Sequence, residues 1–299
     1  MSLRIHIGVH KTATTELQFA LRQSSDALAA GGLGYLGPWA LRRGQLPLHN
    51  ALRGGDPAAE EEMRAVFGEW FAAHPEHLLS EENIIGTTHR TSLFGPGGQL
   101  YPAAADQLSR LLSLMGGVEA EIYMAVRDPA DFVTSAYGQQ LKTGMPGDMD
   151  GYLRGLRVRD LSWAELAGRL LQCDGVKQVI CWRYEDHAET RPALLERMLG
   201  PELAGEVPRM RWHNGGISQA AYDMLAQLVL ADTRTPISEL LQRARKEHPR
   251  KAGVPPMRLL PPRVHRRSLD AYASDLETLA GMDHVTLLRP PPAGGRVDA

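Results

Sequence analysis

Cysteine is nearly missing from this chain. Cys173 and Cys181 are the only two in 299 residues, which fits a reduced, cytoplasmic protein better than a disulfide scaffold. The pair lacks metal-ligand spacing and no His-Glu-x-x-His segment occurs, so no metal is expected. No apolar run approaches the roughly 20 residues of a membrane span. Charge and strand pattern begin almost at residue 1, so no signal peptide is expected. A formal net charge of -2 offers neither a basic field for nucleic acid nor a polybasic membrane patch. Internal repeats and an obvious linker are also missing. Lysine is scarce: of 33 basic residues only Lys11, Lys142, Lys177, Lys246 and Lys251 are lysines. One of these few stands in a glycine turn near the N-terminus, where an ammonium on a flexible stem suits a reacting oxygen better than a rigid guanidinium fork.

What is present is an ordinary globular composition, 43% hydrophobic, with enough length for one large α/β domain. Strands are expected at 3–9, at the short apolar run 77–79, at 120–126 and 177–183, with a short closing strand at 284–288. Helices are expected at 14–30, 58–73, up to Gly116-Gly117, 129–143, 148–155, 162–173, 186–199, 217–231, 236–247 and 267–280. Residues 32–57 read as a long irregular connection, and such loops often carry substrate contacts. Strands separated by helices predict a three-layer α/β fold with a central parallel sheet flanked by helices. The chain is read as a single domain over 1–299, with a core over 1–200, extra C-terminal helices over 201–290 and a loose tail over 291–299. Ligands of such sheets sit beyond the carboxyl ends of the strands, where three polar clusters fall.

The first cluster is Gly8-Val9-His10-Lys11-Thr12-Ala13-Thr14-Thr15. An apolar strand stops at a glycine, a lysine and hydroxyls follow, and a helix begins: the layout of an anion site. It is not a Walker A motif, because His10 stands where the second glycine would be. The second cluster joins Arg127, at a strand end, to Ser135, two turns into the next helix; together they suit one phosphate. Asp128 and Asp131 read as helix N-terminal charges. The third is Ser80-Glu81-Glu82-Asn83, where Glu81 reads as a capping or solvated acid and Glu82 either as that or as a general base. His49, in the 46–50 loop, competes for the base role through its better matched pKa.

Gly8-x-x-Lys11-Thr12-Ala13-Thr14-Thr15 followed by Leu17-Gln18 resembles the 5′-phosphosulfate loop of sulfotransferases that use 3′-phosphoadenosine 5′-phosphosulfate (PAPS). Arg127 with Ser135 resembles that family's 3′-phosphate motif. Leu78-Leu79-Ser80-Glu81-Glu82 resembles the strand-end segment of its bacterial and carbohydrate-directed members, and Tyr184-Glu185-Asp186 fits as well. The resemblance covers the first two thirds of the chain. It implies a P-loop-like fold, PAPS as donor co-substrate without a metal, and a hydroxyl acceptor of the small-molecule or saccharide kind. It further implies that Lys11 contacts the bridging oxygen, that His10, Lys11, Thr12, Ala13, Thr14 and Thr15 form the 5′-phosphate loop, and that Arg127 and Ser135 hold the 3′-phosphate. Glu82 or His49 would take the proton.

The chain departs from the family at Ala13, where glycine is usual; a β-carbon disfavours positive φ and predicts a somewhat different turn. No C-terminal Arg-Lys-Gly segment is recognisable, and 213–218 or Arg250-Lys251 are candidates to replace it. Two other readings remain open, a P-loop kinase or NTPase and a non-catalytic nucleotide-binding protein of the same fold. The residues of 35–55 and 137–160 either line the acceptor or belong to the core. The sequence does not specify oligomeric state.

Overall fold

The computed structural model describes residues 2–42, 46–144, 147–210, 216–251 and 253–291. In chain order the elements are β1 (Ser2–Gly8), α1 (Thr14–Gln23), α2 (Ser25–Ala30), β2 (Leu33–Leu36), α3 (Pro38–Arg42), α4 (Leu48–Arg53), α5 (Pro57–Ala73), β3 (Glu76–Ser80), α6 (Arg90–Leu93), α7 (Ala104–Leu114) and β4 (Ala120–Val126). They continue with α8 (Pro129–Lys142), α9 (Met149–Leu153), α10 (Trp163–Leu171), β5 (Val176–Arg183), α11 (His187–Leu199), α12 (Pro201–Ala204), α13 (Gln219–Ala231), α14 (Ile237–Glu247), α15 (Pro262–Gly281) and β6 (Val285–Leu288).

The strands form one six-stranded sheet in the order β2-β3-β1-β4-β5-β6, every pair parallel. Both faces are covered, so the central strands read as near-continuous apolar runs. Side chains alternate between two cores with the period of a strand. Leu3, Ile5 and Ile7 of β1, Ile122, Met124 and Val126 of β4, and Val179 and Cys181 of β5 enter the larger core. Tyr123, Ala125, Ile180 and Trp182 enter the smaller one, under α1, α2 and α11. This is the expected three-layer parallel α/β fold, with both cysteines buried and free. No helix among the described residues is long and apolar enough to cross a membrane.

Several boundaries differ from expectation. The helix expected over 14–30 breaks at Ser24, whose hydroxyl donates to the Glu206 carbonyl at 2.7 Å. The stretch 32–57 is not irregular throughout: β2 pairs with β3 from Leu33 opposite Glu76 to Leu36 opposite Leu79, and α3 and α4 follow. The last helix starts at Pro262 rather than 267, because proline fits a first helical turn. The tail, from residue 292, and residues 213–215 lie outside the described residues.

One cross-element contact joins the C-terminal helices to the site. Asp275 of α15 accepts from the Ser162 hydroxyl at 2.5 Å and from the Trp163 N–H at 2.7 Å, capping α10. Trp163 in turn donates its indole N–H to the Arg127 carbonyl at 2.8 Å. Asp275→Ala leaves the Trp163 N–H without its acceptor. The expected loss is about 1–3 kcal/mol, read from the urea midpoint; an unchanged midpoint would show that the cap contributes nothing.

Candidate active site

The turn after β1 is built from strained backbone. Gly8, Val9, Lys11 and Ala13 have φ of 72°, 77°, 68° and 63°. His10 and Thr12 do not, so from Val9 to Ala13 every second residue is left-handed, a pattern suited to turning successive N–H groups toward one point. Ala13 thus keeps the left-handed conformation that its β-carbon disfavours. It caps α1, its carbonyl accepting from Glu16 N at 2.9 Å. Gly8 is needed sterically as well: a β-carbon there would lie 2.9 Å from Glu82 Cβ and from Thr14 Cγ2.

Internal bonds lock this shape. Thr12 and Thr14 hydroxyls both donate to the Val9 carbonyl, at 2.6 and 3.1 Å. They are buried and support the turn, whereas the expectation had them facing the ligand. The Tyr101 hydroxyl accepts from the His10 N–H at 3.2 Å and contacts His10 Nδ1 at 3.1 Å; His10 Nε2 meets the Asn83 amide oxygen at 3.1 Å. A neutral imidazole protonated on Nε2 satisfies all three, and burial lowers the His10 pKa. The His10 ring is therefore a strut of the turn. Among the described residues, the backbone N–H groups of Lys11, Thr12, Ala13, Thr14 and Thr15 have no acceptor. Five consecutive free donors at the start of a ten-residue helix form an anion cradle.

Positive side chains surround it. Arg127 donates from Nη1 to the Lys11 carbonyl at 2.6 Å and lies over the Tyr184 ring at 4.4 Å, while its buried Nε has no partner. Lys11 Nζ donates to Gln139 Oε1 at 3.3 Å. Burial and then Arg127 lower the Lys11 pKa; Glu82 opposes them and Arg245 adds to them. Ser135, one helical turn before Gln139 on α8, is half-buried, and among the described residues its hydroxyl has no hydrogen-bond partner. Asp128 accepts from the Asp131 N–H and from Ser268, the capping role expected for it.

The structure separates the acids. Glu81 is buried, caps the Asn83 N–H at 2.8 Å and takes a bidentate bond from Arg42 at 2.7 and 2.5 Å. Glu82 lies against Gly8, with one oxygen 3.3 Å from Arg42. His49 is exposed on α4 and lines a cavity of about 510 Å³ with Arg42, Glu81, Asn83 and the leucines of α3 and α4. Burial and Arg53 lower its pKa, and Glu81 is the acid that opposes them. Of the two candidate bases, Glu82 is the one whose charge is felt at Lys11.

Sequence reasoning missed Arg42, Tyr101, Gln139, Lys142 and Arg245. Gln139 was legible, standing four residues after Ser135 on the same helix face. Arg250, expected as a possible substitute, bonds the neighbouring Lys251 carbonyl, and Arg245 is the arginine of that region whose charge reaches Lys11.

Fold and site together define a three-layer parallel α/β protein whose turn after β1 presents five N–H groups without an acceptor among the described residues. No family model and no curated protein matches the chain. Among solved structures it is similar to the crystal structure of a sulfotransferase from Alicyclobacillus acidocaldarius, at 15% identity and a TM-score of 0.41, over 84% of this chain and 97% of that one.

Behind the turn, His6 Nδ1 bonds the Ser80 hydroxyl at 2.8 Å, and Gln18 joins them. Burial, with His187 adding, pushes the His6 pKa from 6.5 down to about 3. The unfolded chain takes up a proton that the folded chain refuses. Stability is therefore full above about pH 6.5 and falls as pH drops toward 3. By pH 5 the loss from His6 is about 2 kcal/mol. Denaturant midpoints between neutral pH and pH 5 should show this decline, and His6→Asn should flatten it. A parallel decline in the variant would assign it to other groups.

Proposed function

We propose that this protein is a sulfotransferase that moves a sulfuryl group from PAPS to a hydroxyl acceptor of the small-molecule or saccharide kind. The observation that carries this reading is the run of five unpaired N–H groups flanked by Lys11 and Arg127. A turn of this shape suits a 5′-phosphate, and the unpartnered Arg127 Nε with the Ser135 hydroxyl suits a second phosphate. PAPS carries both, and ATP lacks the second.

In the reaction the N–H groups of residues 11–15 and the Thr15 hydroxyl hold the 5′-phosphate. Arg127 and Ser135 hold the 3′-phosphate, and the Tyr184 ring backs the Arg127 guanidinium. The acceptor oxygen forms the new bond to sulfur as the bond from sulfur to the 5′-phosphate oxygen breaks. Lys11 Nζ neutralises the charge gathering on that leaving oxygen. Glu82 accepts the acceptor's proton through the oxygen not facing Arg42. Its carboxylate is too weak to ionise an alcohol beforehand, so proton transfer accompanies attack. Bisphosphate and sulfate ester then leave.

Lys11→Ala should lower sulfuryl transfer by about 10²–10³ with the fold intact; near wild-type turnover removes Lys11 from the chemistry. Glu82→Gln should cost about 10² in turnover with little change in donor binding. An unaltered rate would move the base role to His49, to be checked with His49→Ala.

Arg127→Ala should weaken 3′-phosphoadenosine 5′-phosphate about 10- to 100-fold more than it weakens AMP. The ratio is the readout, since losing the bond to the Lys11 carbonyl affects both nucleotides. Equal losses in calorimetry, together with turnover of ATP and magnesium, would replace this reading with a kinase or triphosphatase. Selective binding of the bisphosphate without transfer to any hydroxyl compound would leave a nucleotide-binding protein.

A further inference from the structure

The cavity of about 510 Å³ lies beyond the carboxyl end of β3, walled by α3, α4, α5 and the segment after β3. Ligands of parallel sheets bind at that end, and the size suits a small molecule. Its lining residues tie it to the anion turn. Asn83 Oδ1 meets His10 Nε2 at 3.1 Å. Arg42 Nη2 reaches Glu82 Oε1 at 3.3 Å, and Glu82 lies against Gly8. The cavity and the N–H cradle thus share a wall. Both candidate bases border the cavity, since His49 lines it and Glu82 contacts its Arg42.

The chemistry of the walls indicates what fits. Leu41, Leu48, Leu52 and Ile84 are buried and line the cavity together with the half-buried Leu46 and Pro47. Among the described residues no aromatic ring lines it. Its main polar groups are engaged: both Glu81 oxygens hold Arg42, and the Asn83 amide oxygen meets His10. A sugar ring would set several hydroxyls against leucine, away from any partner. An anionic group would meet Glu62, Glu81 and the adjacent Glu82, with Arg42 already engaged by carboxylates. His49 adds no cation near neutral pH, since burial and then Arg53 hold its pKa below the ordinary value. Repulsion of this kind sets specificity as surely as attraction does. We propose that this cavity is the acceptor site and that the acceptor is an alcohol or phenol with an uncharged, apolar body. Its hydroxyl lies at the Glu82 end and its body among the leucines. That the occupant is a sulfuryl acceptor rests on the sulfotransferase reading; the preference of the cavity for an uncharged apolar body does not.

The full chain, saturated with 3′-phosphoadenosine 5′-phosphate, is titrated by calorimetry with three compounds. These are 4-propylphenol, the similarly shaped but anionic 3-(4-hydroxyphenyl)propionate, and methyl β-D-glucoside. The phenol should bind about 10- to 100-fold more tightly than either of the others. Leu46→Glu, which sets a charge in the apolar wall, should weaken the phenol about 10-fold. Glu62→Lys should narrow the gap between phenol and propionate about 10-fold. Neither residue is fully buried, and an intact melting transition is checked first. A shift in either variant ties the preference to this cavity. A preference that both folded variants leave unchanged overturns the proposal. So do tighter binding of the propionate or the glucoside, and titrations of the three that cannot be told apart, absence of binding included. The wild-type comparison decides alone if the variants fail to fold. The phenol titrated without nucleotide still reads the cavity. A bisphosphate that does not bind, or a bound phenol that receives no sulfuryl group from PAPS, therefore counts against the sulfotransferase reading and not against the cavity's choice of ligand.

Discussion

The turn after β1 holds the backbone N–H groups of Lys11 to Thr15 away from every acceptor among the described residues, and much of the surrounding structure exists to hold it there. Left-handed conformations at non-glycine residues cost about 1–2 kcal/mol each, and Val9, Lys11 and Ala13 all adopt them. Two threonine hydroxyls on the Val9 carbonyl, the Tyr101 hydroxyl on His10 and Arg127 on the Lys11 carbonyl offset that cost. A buried, hydrogen-bonded shell thus supports an unsatisfied inner surface, the arrangement expected of a preorganised anion site.

Charge follows the same logic. Lys11, Lys142, Arg127 and Arg245 converge on one side, and Glu82 is the acid that tempers Lys11. The other strand-end acid, Glu81, is fully engaged by Arg42.

The sequence made the turn legible because all of it lies in eight consecutive residues after a strong strand. Arg127 was legible because β4 is so apolar that its end is unmistakable. Strand β2 was not: it has four residues, two of them glycine and tyrosine, and it exists through pairing with β3 some forty positions on. The direction of the Thr12 and Thr14 hydroxyls was hidden for a similar reason, since hydroxyls serve a ligand or a carbonyl equally well. At Ala13 the intrinsic preference of the residue was a poor guide, because the neighbours impose its φ.

The bond from Tyr101 to His10 spans 91 residues, and that from Arg127 to Lys11 spans 116. The local motif is therefore complete in the sequence long before it is complete in space. A chain emerging during synthesis, or one partly unfolded, carries every residue of the turn yet lacks the struts that give it shape. On the reading proposed above, affinity for a nucleotide would be a property of the assembled sheet, and its occupancy would report whether β4 and the segment before α7 have docked.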